Sequence, residues 1–104
     1  MEKVKLQAQY GLYINGEWRN AADGATYNAE SPADGSHLAV CAQGSREDVE
    51  AASAAAWEAF KTWKKTTPAQ RAALLNKIAD IIDANKEHLA MVESMDNGKP
   101  IRET

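Results

Sequence analysis

The sequence predicts an α/β chain, with a β-hairpin and short strands first and two long α-helices after. Three observations carry this. Asn15-Gly16 stands between short apolar runs, the hydrophobic period changes from strand to helix at Ser45, and helix-starting residues recur at Ser45 and Thr67. The 104 residues suffice for one small domain. A hydrophobic share of 44% and a charged share of 26% fit a globular chain rather than a disordered one.

Residues 10–44 read as the hairpin and strands. Asn-Gly suits a two-residue type I′ turn, because both central positions need positive φ. That turn sets Tyr13 opposite Trp18 and predicts an aromatic pair across the strands. Asp23-Gly24 and Ser31-Pro32-Ala33-Asp34-Gly35-Ser36 are further turns. Thr26–Glu30 and His37–Ala42 read as strands between and after them.

The first helix is expected over 45–65, with Ser45 as N-cap and Asp48 closing a capping box. Val49, Ala52, Ala56, Phe60 and Trp63 share one face and are expected in the core. The second helix is expected over 67–96. Thr67 caps it, Pro68 takes the first helical position, and Gln70 completes the box. Leu75, Ile78, Ala79 and Ile82 form its expected buried face, and Leu74 and Ile81 widen that face toward a second neighbour. Asn85 loosens the helix, Leu89, Val92 and Met95 continue a buried face, and Asp96-Asn97-Gly98 stops it. Pro100-Ile101-Arg102-Glu103 reads as the start of another element. The chain is therefore expected to be the front piece of a larger α/β protein.

A net charge of −3 and a pI near 5.3, with lysines and arginines interleaved among acids, argue against nucleic-acid binding. No apolar run suits a signal peptide or a membrane span, so the expected compartment is the cytoplasm. Cys41 lies in the apolar run Leu38–Ala42, which fits a buried, inert thiol. Neither His37 nor His88 has the context of a catalytic partner. There is no G-x-G-x-x-G, no H-E-x-x-H and no C-x-x-C. Gly98-Lys99 lacks the first glycine and the Ser or Thr of a phosphate loop. Glu47, Asp48 and Glu50 cluster at a helix start, where capping and the helix dipole explain them. No catalytic and no cofactor-binding residue is assigned.

The order of several short runs does resemble a known family. Tyr13-Ile14-Asn15-Gly16-Glu17-Trp18, Ser31-Pro32 with Asp34-Gly35, and Glu47-Asp48-Val49 resemble the opening of the aldehyde dehydrogenase superfamily. Ala59-Phe60 with Trp63, the stretch Arg71–Asp80, and Asp96-Asn97-Gly98-Lys99-Pro100 do so too. Together they cover Tyr10 to Thr104. The closing run and Ser31-Pro32 look most like the acetaldehyde-oxidising bacterial branch.

The resemblance implies the N-terminal part of a Rossmann-like NAD(P)-binding domain. It implies an enzyme that oxidises an aldehyde to an acid with NAD or NADP and that is homo-oligomeric when full length. A cysteine attacks the aldehyde, hydride passes to the nicotinamide, and water releases the acid. The family's catalytic cysteine, glutamate and asparagine match nothing in this chain, and Cys41 does not match the nucleophile. The remainder of such a chain is the expected partner. The resemblance also implies a structural Na⁺ or K⁺ held by the carbonyls of Ala29 and Glu30 and by Asp96, with a further ligand beyond residue 104. A different class of reading is a non-catalytic interaction module, or a truncated gene product, docking through the apolar helix face around Leu74 to Ile82.

Overall fold

The computed structural model describes residues 5–98, 100 and 101. Five strands precede three helices: β1 Gln9–Tyr10, β2 Leu12–Ile14, β3 Glu17–Arg19, β4 Thr26–Glu30, β5 His37–Ala42, α1 Arg46–Trp63, α2 Pro68–Ala84 and α3 Lys86–Asn97. The chain divides into two compact units. One holds Leu6–Glu30 and His37–Lys65; the other holds Met1–Lys5, Ser31–Ser36 and Thr66–Thr104.

The first unit carries all the strands. β2 and β3 form the expected hairpin, with Asn15 at φ 54° and Gly16 at φ 78°. Both values lie in the left-handed region that a type I′ turn requires. Tyr13 faces Trp18 in the register, with ring centroids 4.9 Å apart and planes tilted by 57°. A separate three-stranded sheet has the order β1-β5-β4, with β1 parallel and β4 antiparallel to β5. The strand at Gln9–Tyr10 pairs parallel with Val40 and Cys41, a partnership that hairpin logic does not reach. Between Ala29 and Glu30 the register shifts: Ala29 faces Ala39 but Glu30 faces His37, leaving Leu38 as the extra residue of a bulge.

α1 begins at the predicted cap, with Ser45 in extended geometry and both halves of the capping box formed. Its main element contact is with β2. The buried position on its first turn is Asp48, and half-buried Ala51 and Ala55 continue that stripe. The face predicted to be core is not buried. Val49, Phe60 and Trp63 are all exposed, and the neighbouring Trp57 is 72% exposed. The alanines allow close approach to the hairpin.

The second unit is helical. α2 starts as predicted, with Thr67 capping the Gln70 N–H at 3.1 Å and the Gln70 side chain returning to the Thr67 N–H at 2.9 Å. The single helix expected over 67–96 is divided. At Asn85 the backbone leaves helical geometry (φ −117°, ψ 14°), and the Asn85 side-chain amide donates to the Ile81 carbonyl at 2.8 Å. An asparagine side chain competing for the backbone in this way ends a helix. α3 then restarts without a side-chain cap and stops at Gly98, whose φ is 83° and whose N–H donates to the Ser94 carbonyl. Met95 is buried and Val92 half-buried as expected, but Leu89 is exposed. α2 has no buried residue: Leu74, Leu75, Ile78, Ile81 and Ile82 are all exposed, contrary to the core face the periodicity predicts. Among the described residues, the buried apolar residues are Ala21, Ala39 and Met95.

Candidate functional site

Side chains that carry chemistry are scattered. Cys41 lies within β5, half-buried, with Tyr10 and Tyr27 as its register partners and its thiol free. His37 opens β5 and His88 sits in α3, both exposed. Among the described residues no three His, Cys, Asp or Glu side chains gather as a metal-binding group. Lys99 lies outside the described residues.

Among the described residues, the concentrated polar arrangement is built on Asp48. Its side chain is 3% exposed. Oδ2 accepts from the Ser45 N–H at 2.9 Å and the Ser45 hydroxyl at 2.8 Å. Both oxygens accept from the Ala22 N–H, at 3.0 and 3.2 Å, and Oδ1 lies 3.7 Å from the Arg19 guanidinium. The Ser45 backbone and hydroxyl bonds hold this carboxyl below the usual carboxylate range, aided by Ala22 and Arg19 and opposed by burial. A carboxylate held ionised with its lone pairs occupied is a poor proton acceptor. Asp48 thus joins the start of α1 to the 21–24 turn and to β3. The capping half of this was readable from Ser45-x-x-Asp48. The bonds to Ala22 and Arg19 leave no local signal. Glu47 and Glu50 are exposed, and Glu50 pairs with Arg46 one turn away at 3.2 Å.

The residues of the expected cation site are described each in its own unit. Ala29 is half-buried and Glu30 exposed at the end of β4, on either side of the register shift. Such a shift interrupts the ladder and frees backbone groups from strand pairing. Asp96 is exposed in the last turn of α3, where helix carbonyls lack intrahelical partners. In the same turn the Ser94 hydroxyl is buried with no hydrogen-bond partner among the described residues. These oxygen donors fit a hard alkali cation in kind.

A shallow groove of about 390 Å³ lies between the hairpin tip and α1, lined by Tyr13, Ile14 and Asn15 and by alanines of the helix such as Ala52 and Ala59. It holds no titratable side chain other than the Tyr13 phenol. None of the described helices is long and apolar enough to cross a membrane.

Residues 18–104 match the aldehyde dehydrogenase family. The chain is 43% identical over 102 residues to a long-chain-aldehyde dehydrogenase of an Acinetobacter species, covering 98% of this chain and 20% of that one. It is 44% identical over 101 residues to aldehyde dehydrogenase B of Escherichia coli, covering 97% of this chain and again 20% of the relative. Among solved structures it resembles an NAD-dependent aldehyde dehydrogenase from Sinorhizobium meliloti, with a TM-score of 0.86 and 36% identity over 93% of this chain and 20% of that one. An aldehyde dehydrogenase from Bacillus cereus, solved with NAD⁺, gives 0.86 and 41% over 90% and 20%. The chain spans about a fifth of the length of these relatives and aligns with their N-terminal segment. With the hairpin, the strands and the capped helices all in family order, this chain belongs to the aldehyde dehydrogenase family.

Proposed function

We propose that this chain is the N-terminal part of the NAD(P)-binding domain of an NAD(P)-dependent aldehyde dehydrogenase, an enzyme oxidising an aldehyde such as acetaldehyde to its acid. The carrying observation is the match of 98% of the chain to one fifth of a relative at 43% identity. The segment supplies scaffold: the hairpin, the strands around β5 and the capped helices. It is proposed to bring no catalytic nucleophile, since Cys41, half-buried within β5, does not match the family's cysteine. The nicotinamide supplies hydride acceptance when bound, on residues outside this chain. The enzyme is proposed to be cytoplasmic and homo-oligomeric.

The test is a fusion. This chain, joined in frame to the remaining four-fifths of the Escherichia coli aldehyde dehydrogenase B chain, should form NADH or NADPH from acetaldehyde or longer aldehydes. The 104-residue chain alone should form none. A soluble fusion of correct mass without turnover, beside an active intact relative, would overturn the reading.

Ala29 and Glu30 through their carbonyls, and Asp96 through its last-turn oxygens, are proposed as ligands of a structural Na⁺ or K⁺. The support is the register shift beside Glu30, the exposed Asp96 carboxylate, and the family resemblance of the runs around them. Crystals of the active fusion grown in Rb⁺ should show an anomalous peak within coordination distance of these oxygens. A well-ordered site without that peak would remove the proposal.

A further inference from the structure

We infer that the packing of Pro32 against Gly98 positions the oxygens of the proposed Na⁺ or K⁺ site, which makes these two apolar residues positioning residues for a cation that neither of them binds. The inference rests on the cation reading proposed above. Its own observations are local to the helical unit. The turn Ser31–Ser36 belongs to that unit together with α3. It is closed on itself: the Ser31 N–H donates to the Ser36 carbonyl at 2.8 Å, and the Gly35 N–H donates to the Ser31 carbonyl at 2.7 Å. Ser31 is buried, as are Ser94 and Met95 in the last turns of α3.

Gly98 ends α3 with φ 83°, which by itself accounts for a glycine or an asparagine. A second and separate constraint acts at the same residue. A Cβ built on Gly98 would stand 3.0 Å from Cγ of Pro32 and 3.7 Å from its Cβ. Packed carbons rest about 3.5–4.0 Å apart, so the proline ring occupies the space that a side chain would take. That ring is fused to its backbone and cannot swing aside as a long side chain can. Proline also confines the residue before it to extended backbone, which stiffens the link through Ser31 to Glu30. Glu30 is bonded to Ser31, and Asp96 precedes Gly98 by two residues. The contact therefore holds a covalent neighbour of the proposed carbonyl ligands against a near neighbour of the proposed carboxylate ligand. Affinity for a hard cation follows the number and rigidity of its oxygen ligands, so it should respond when this seat is loosened.

The experiment follows thermal unfolding of the active fusion across KCl concentrations, with choline chloride holding the ionic strength constant. A cation bound only by the folded state raises the melting temperature in a saturable way. Pro32→Ala and Gly98→Ala should each raise the half-saturating K⁺ concentration about tenfold. The double variant should be no weaker than the worse single one, because both residues act through one contact. A merely structural loss would lower the melting temperature at every K⁺ concentration and leave the half-saturating concentration in place. Gly98→Ala also strains the backbone, so Pro32→Ala decides the matter if that variant does not fold. A K⁺ response with a half-saturating concentration unmoved in Pro32→Ala overturns the inference and leaves the cation reading standing. An unsubstituted fusion with neither a K⁺ response nor a Rb⁺ peak in its crystals overturns both.

Discussion

The carboxylate of Asp48 accepts hydrogen bonds from Ser45, three residues earlier, and from Ala22, twenty-six residues earlier. With Arg19 beside it, these donors favour the charged form and hold its pKa below the ordinary 3.8. The linkage has a definite sign. A depressed folded pKa contributes stability that is present above the unfolded value and is lost as pH falls through the folded one. The melting temperature should therefore drop as pH falls below about 4. Asp48→Asn cannot ionise and turns an amide toward N–H donors, so it should lower the melting temperature at pH 7 and flatten the acid limb. Thermal unfolding followed by circular dichroism between about pH 2 and 7 checks both parts. Parallel acid limbs for the two proteins would remove Asp48 from that role.

At the scale of the element, short-range chemistry decides. The hairpin needs only Asn15-Gly16 and a cross-strand aromatic pair, and it forms in the predicted register. The helix starts need only Ser45 with Asp48 and Thr67 with Gln70, and both boxes form. Thr67→Ala should cost about 1 kcal/mol by removing an acceptor from an exposed N–H, whereas Thr67→Ser should cost little. Urea unfolding monitored at 222 nm separates the two. Equal stability of the Ala and Ser variants would show that the box contributes nothing. The division at Asn85 was only half readable. An asparagine in a helical pattern warns of competition, but whether the backbone yields depends on how the flanking helices pack.

For the molecule as a whole, the burial pattern governs. Among the described residues, fourteen large apolar side chains are exposed, from Tyr13 and Trp18 to Ile101. A complete small domain rarely leaves so much uncovered. The periodicities at Val49–Trp63 and Leu74–Ile82 are sound readings of which faces are apolar, yet they were wrong about what this chain buries. The chain spans about a fifth of the length of the relatives it matches.

The sequence by itself determined the turn, the caps, the helix stop at Gly98 and the family, because each rests on residues within about four positions of one another or on their linear order. Tertiary structure alone decided that β1 runs parallel to β5, that Asp48 reaches Ala22 and Arg19, that α2 and α3 are separate, and that the aromatic and aliphatic faces stay open. Those outcomes depend on partners far away in the chain. A hydrophobic period names the face that seeks cover, and only the packed chain shows whether the cover is there.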